Sequence, residues 1–312
     1  MMINSRLFFL LLAFVTIFAS CNKDDTDEKL ADEEQQLSEY ITKQQPDAKS
    51  IKTGLYIKKA TEFPDAVQPK GGQYILINYT LKQLYTNTSE ISSYEDYAGY
   101  MYYPIYQYGG PELWQLYNPL NGIYEALGQM REGESASVYL SSRYNVFTSG
   151  LDFISRVWQP RIVKVISDLG TYQQTLMTSA LKYNISDPDV DTLKVKSSVD
   201  NNEYSIFYAV QDEGSGAELG NTTSDIKVKV KISYTLQENI IQNVTNNEEV
   251  SQTWSTYLSA SQVLKKLKKG ARVTIAMPYI LHFGDEVVVN ENTRQIVIPK
   301  GSVLVLEVNV ES

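Results

Sequence analysis

The order of apolar and polar residues along the chain switches repeatedly between two periods. From Ile226 to Tyr234 the two kinds alternate, as in a strand with one wet face, with Ile226, Val228, Val230, Ile232 and Tyr234 on the inner side. An earlier stretch, 71–81, carries Ile75, Ile77 and Tyr79 on one face, and both stretches end in the tripeptide Tyr-Thr-Leu. Downstream of each comes a short helical pattern, 122–133 and 261–270, closed by a lysine- or arginine-bearing turn and a glycine, Gly133 or Gly270. Glycine is the common residue just past a helix end because it takes a left-handed backbone without strain. Strands follow at 135–140 and 271–277, and each series closes on a β-rich segment, 161–166 or 302–310. Upstream, Leu37, Tyr40 and Ile41 recur at helical spacing before a strand at 54–57, and 176–183 repeats that lead-in before 204–208. The pattern predicts one plan used twice, in units 35–169 and 172–312. Each unit reads as an α+β domain, an antiparallel sheet wrapped on one short helix.

The N-terminus has a different character. Arg6 precedes an apolar run over 7–18, followed by Ala19, Ser20 and Cys21. This is the layout of a cleaved secretory signal over residues 1–20, too short to span a bilayer, which takes ~20 apolar residues. Cys21 is the only cysteine, and its position directly after two small residues marks it as a lipid-acceptor cysteine; Phe18 is the one departure from the usual pattern. The mature chain then lacks disulfides and thiolate metal sites and depends on core burial. The acidic segment 21–34 predicts a solvated, self-repelling tether. Its Lys followed by paired acids resembles the lipoprotein export signal of the Bacteroidetes. That resemblance implies a lipid-anchored outer-membrane protein at the cell surface, with the periplasmic face as the alternative.

Charge narrows the range of partners. A formal net charge of −9, one unit more negative once Arg6 is removed, excludes nucleic acid as an expected partner. The 312-residue length suits two domains, and the 23 tyrosines argue for folded, β-rich material.

The segments of the repeat resemble the FKBP-type peptidyl-prolyl isomerases. The run 298–310, Ile-Pro-Lys-Gly-Ser-Val-Leu-Val-Leu-Glu-Val-Asn-Val, is similar to that family's closing strand, and 122–133 to its helix. His282-Phe283-Gly284 resembles its Ala-Tyr-Gly loop, and the lead-in helix followed by Thr53-Gly-Leu-Tyr resembles exported members. The resemblance implies catalysis without nucleophile, metal or cofactor. Rotation about a peptide bond costs ~18–20 kcal/mol because resonance is lost. An apolar aromatic pocket with one hydroxyl donor stabilises the twisted amide more than either planar form.

Carried across, that pocket falls on Tyr79, Ile123, Tyr144, Val146 and Val163 in the first unit. In the second it falls on Tyr234, the neighbourhood of Ala260, Phe283 and Leu306. Tyr79 and Tyr234 keep the opening tyrosine; Ile123 replaces the floor tryptophan, and Val146 and Phe283 replace the loop tyrosine. Loss of that hydroxyl implies weak or absent isomerase activity in both units.

The first unit is the longer one. Its surplus is a tyrosine-rich insertion, 94–108, followed by Trp114 and Tyr117. Tyr100, Tyr103, Tyr106 and Trp114 are candidates for a ligand surface for peptide or glycan, and equally for a flap packed on the domain. His282, the only histidine, has no ligand-type neighbours and reads as a loop residue, so no metal site is expected. Lys265, Lys266, Lys268 and Lys269 read as a solvated helix end. Asp191-Thr192-Leu193 resembles a short O-glycosylation motif, with Thr192 as acceptor. These readings converge on a folding helper for polypeptide clients, anchored to a membrane through Cys21. The alternative is a non-enzymatic binding or scaffold lipoprotein that uses the tyrosine-rich insertion.

Overall fold

The structure, a computed structural model, describes residues 21–70, 73–92, 101–104, 125–144, 151–220, 225–245, 248–255, 258–284, 288–289, 296–298 and 301–311. The expected signal peptide, 1–20, lies outside these residues. The chain divides into two compact units: Met1–Lys70, Tyr79–Ile91 and Gln107–Ile162 form the first, and Gly71–Asn78, Ser92–Tyr106 and Val163–Ser312 the second.

Two sheets carry the architecture. The first comprises β1 (Lys49–Lys52), β2 (Leu55–Lys59), β3 (Tyr74–Gln83), β4 (Ser89–Ser92), β5 (Met101–Pro104), β6 (Ala136–Leu140) and β7 (Arg156–Ile166), in the order β1-β2-β6-β7-β3-β4 with β5 also on β3. The second contains β8 (Asp191–Lys196), β9 (Glu203–Asp212), β10 (Ile226–Gln237), β11 (Ile240–Asn243), β12 (Val250–Trp254) and β13 (Arg272–Pro278). A small ladder of β14 (Val288–Val289) and β15 (Ile296–Ile298) precedes the last strand, β16 (Val303–Val310). The second sheet runs β11-β10-β16-β13-β9-β8, with β12 also on β10. Each strand of the first sheet has a counterpart at the same place in the second. The repeat read from sequence is thus a repeat of strand order, antiparallel in both copies.

Alternation sets the faces of the second sheet. In β10, Ile226, Val228 and Val230 are buried while Lys227 and Lys229 are exposed. Leu304, Leu306, Val308 and Val310 of β16 share a core with Ala260, Val263, Leu264 and Leu267 on and after the short helix that becomes α3 below. Val303 and Val305 point the other way, against Leu176, Met177, Ala180 and Leu181 of a 16-residue helix, Leu169–Asn184. Asp168 caps that helix by accepting from the Thr171 N–H at 2.8 Å. The α+β plan therefore gains a layer: the lead-in helix closes the face of the sheet that the short helix leaves open. The four helices whose ends are described are α1 (Cys21–Gln44), α2 (Leu169–Asn184), α3 (Ser261–Leu264) and α4 (Ile280–Phe283). Gly133 and Gly270 end the two short helical segments with φ of 85° and 84°, a conformation that strains any residue with a Cβ.

The acidic segment corrects the sequence reading. Residues 21–34 are not an extended tether but the first part of α1. Charge repulsion is offset locally by pairs one turn apart, Asp25 with Lys29 at 2.9 Å and Glu39 with Lys43 at 3.5 Å. One face is also buried, through Leu30, Leu37 and Ile41, with Leu37 and Ile41 clustered on Tyr139 of β6. Glu33 and Glu34 share that face. The Glu33 carboxylate accepts from the Ser142 N–H at 2.8 Å, the Ser142 hydroxyl at 2.5 Å and the Ser155 hydroxyl at 3.0 Å. Glu34 accepts from Arg143 Nε at 2.8 Å. No helix among the described residues is long and apolar enough to cross a membrane.

Candidate functional site

Of the pocket residues expected in the first unit, Tyr79, Tyr144 and Val163 are among the described residues. Tyr79 lies half-buried on β3 with its ring 6.0 Å from that of Trp158 on β7. Tyr144 ends a 3-10 turn, Ser142–Tyr144, and is 7 % exposed. Its hydroxyl donates to the Thr53 carbonyl at 3.1 Å, and Lys52 Nζ stands 5.5 Å from its ring centre. Burial pushes the Tyr144 phenol above its usual range. Ile123 and Val146 lie outside the described residues, as do Tyr100, Tyr106 and Trp114. Tyr103 is on β5 opposite Ile75, and nothing is described of its side chain.

Register moves one assignment. Counting from the helix-ending glycines, Val138 of β6 matches Ile275 of β13. Val138 pairs with Trp158, and Ile275 pairs with Leu306. The closing-strand position of the first unit is therefore Trp158, not Val163. Trp158, Pro160 and Ile162 face inward, while Val163 is only half-buried. The sequence around Val163 hides this because both faces of β7 are apolar there. Trp158 is 1 % exposed and its indole N–H meets no acceptor among the described residues. Two residues earlier, at the place of Leu304, stands Arg156, 2 % exposed. Its guanidinium grips Asp152 through both terminal nitrogens at 3.0 and 2.6 Å and donates to the Ile154 carbonyl at 2.8 Å. Burial pushes the Asp152 carboxyl up, but Arg156 outweighs it and holds the group below the usual range.

In the second unit several aromatic residues come together in one core. Tyr234 on β10 and Leu306 on β16 belong to one core with Tyr279, Trp254 and, at its margin, Phe283. The Tyr279 and Phe283 ring centres are 5.3 Å apart, and His282 packs edge-on against Phe283 at 4.6 Å and Trp254 at 6.1 Å. Tyr279 and Trp254 were missed by the sequence reading. Their signal was composition, since tryptophan occurs three times in the chain and two of the three are core residues. Tyr234 is 2 % exposed, and desolvation lifts its phenol to about 12. Burial lowers His282 to about 4, and its Nδ1 has no partner among the described residues. No group of metal-ligating side chains occurs among the described residues. Thr192 is exposed on β8, and Cys21 is the first residue of α1.

No protein-family model matches the chain, and no curated protein does. Among solved structures, it is similar to the three FKBP domains of wheat FKBP73 at 16 % identity, over 85 % of this chain and 98 % of that one, with a TM-score of 0.28. FkpA from Escherichia coli matches at 16 % identity over 54 % and 75 %, TM-score 0.34. A peptidyl-prolyl cis-trans isomerase from Pseudomonas syringae matches at 16 % over 45 % and 96 %, TM-score 0.34. These FKBP-containing structures are what the chain is similar to, and neither family membership nor activity follows from the likeness.

Proposed function

We propose that the chain is a lipid-anchored protein of the cell envelope whose two divergent FKBP-type units act on polypeptides as a folding helper, with prolyl isomerase activity weak or lost. One observation carries the reading. By the resemblance, the loop position from which that family hydrogen-bonds the twisted amide falls on Val146 and Phe283, neither with a hydroxyl, and Tyr144 donates its own to the Thr53 carbonyl. Loss of such a donor costs roughly 3 kcal/mol of transition-state stabilisation, or about a hundredfold in rate. The polypeptide clients, the membrane attachment through Cys21 and the outer-membrane location belong to the same proposal.

The test is a protease-free isomerisation assay on a Phe-Pro peptide, run on the full mature chain beside an aggregation assay with an unfolded client. The reading expects a rate close to the uncatalysed one together with suppressed aggregation. Turnover well above the thermal rate would make the protein an isomerase instead. Absence of both activities would favour a binding or scaffold role centred on the tyrosine-rich insertion. Replacement of Cys21 by Ala should release the protein from membranes; retention of C21A there would remove the anchor.

A further inference from the structure

Away from both aromatic clusters, the second unit carries an open groove of about 520 Å³ between β8 and the segment that follows α3. Leu193 and Val195, half-buried against the core, give it an apolar floor. Lys265 and Lys266 border it from the helix side. Lys194 and Lys196 alternate with the floor residues along β8 and present their charges toward the strand's other face. Among the described residues the lining holds four lysines and no carboxylate. Lys194 reaches Glu203 at 2.9 Å, and Lys266 Nζ lies 3.3 Å from the Tyr208 hydroxyl and 5.6 Å from its ring centre. In a chain of net charge −9 this is a local reversal of sign. β8 is also the last strand of its sheet, paired only with β9 among the described residues, so its outer row of N–H and C=O groups faces no other strand.

The first unit shows what closes the same place. Counting back from Gly133 and Gly270, Glu125 corresponds to Gln262. The registers Lys52–Leu55 and Leu193–Ile206 set Lys52 of β1 against Leu193 of β8. Lys52 and Glu125 form an ion pair at 2.6 Å across the gap. In the second unit Leu and Gln replace that pair, and lysines stand around the opening.

We propose that this groove binds an extended acidic polypeptide segment, which adds a strand to the β8 edge and places the carboxylates of its groove-facing side beside Lys265 and Lys266. Strand addition supplies affinity through main-chain hydrogen bonds and selectivity through alternate side chains. The apolar floor receives one face of the added strand, and lysines meet its acids. The six residues of β8 present an edge of roughly 20 Å, enough for a segment of similar length. The groove serves this role whether or not either unit isomerises proline.

Fluorescence anisotropy of the full mature chain with a labelled, N-acetylated octapeptide alternating Glu and Thr tests it. Binding is expected, and it should weaken about tenfold or more in K265E/K266E. It should change less than about twofold in K268E/K269E, whose lysines lie outside the groove. The same peptide N-methylated at alternate residues should not bind wild type, a control that needs no variant to fold. Equal binding of a Lys-Thr octapeptide, or undiminished binding of the N-methylated one, overturns the proposal. So does capture of phosphatidylglycerol vesicles without binding of the Glu-Thr peptide.

Discussion

The two units share a strand order yet handle buried polarity in opposite ways. The first places charge in its interior: Arg156 with Asp152, Glu33 under α1, and Glu134, which is 1 % exposed and bound to Lys59 at 3.0 Å. The second fills the matching depth with hydrocarbon, Leu304 at the place of Arg156 and Leu306 at that of Trp158, and holds α2 through Leu176, Met177 and Leu181. At the sheet edge the relation is different again, for the first unit seals its gap with Lys52–Glu125 and the second leaves a lysine-bordered groove. A fold specified by strand order and alternation tolerates both solutions, because a buried charge that is paired and an apolar side chain can each occupy the same inward position.

The comparison can be broken most sharply at Asp152. Asp152→Ala leaves a buried guanidinium without its carboxylate and should cost about 3–5 kcal/mol in urea unfolding of the first unit. The double change Asp152→Ala with Arg156→Leu copies the second unit and should recover most of that loss. A cost below about 1 kcal/mol for the single change would mean the pair is not needed. Next in size is acid sensitivity. His282 is lowered to about 4 in the folded state, so its neutral form contributes stability that is present above the ordinary histidine range and lost as pH falls from about 6.5 to 4. Wild type should lose up to about 3 kcal/mol over that window relative to H282F. In the first unit, burial raises Asp152 and Glu134, but Arg156 for the one and the Phe63 N–H and Lys59 for the other leave both depressed. Their contribution is present above the ordinary carboxylate range and is lost only as pH falls through their lowered values. The first unit's acid transition should therefore begin at lower pH than the second's, and coincident transitions would contradict the difference in cause.

Smaller effects sharpen the contrast between the two covering helices. Glu33→Ala strands three donors and should cost about 2–3 kcal/mol, against about 1 kcal/mol for Gln173→Ala, which removes one bond to the Gly301 carbonyl at 2.7 Å. Equal losses would show that α1 is held by its apolar face alone. Smallest is Glu125→Gln, which gives the first unit the second's residue. With Lys52 and Glu125 partly exposed, it should cost less than about 1 kcal/mol by thermal melting.

Much of this plan was legible in the chain. The unbroken alternation of 226–234 became β10 with the expected faces, and Gly133 and Gly270 took the backbone that a helix end needs. What the pattern could not supply was register and partnership. Apolar residues on both faces of β7 concealed that Trp158, rather than Val163, stands at the closing position. Glu33 and Glu34 look solvated in sequence because their partners, Ser142, Arg143 and Ser155, lie more than a hundred residues away. Cavities are equally invisible: four lysines in two distant segments meet only once β8 and α3 are packed in one unit.

The continuity of α1 bears on how this molecule stands at a surface. If Cys21 is acylated as proposed, α1 leaves no slack leash there, because Leu30 is buried and Glu33 is already bonded to Ser142 and Ser155. At 1.5 Å per residue, Cys21 to Leu30 spans roughly 14 Å, about twice the depth of one headgroup layer. The first unit would then ride close to the bilayer on a short stiff strut, its orientation set by helix geometry rather than by diffusion. Insertion of a few glycines after Asp27 would convert a fixed mount into a swivel.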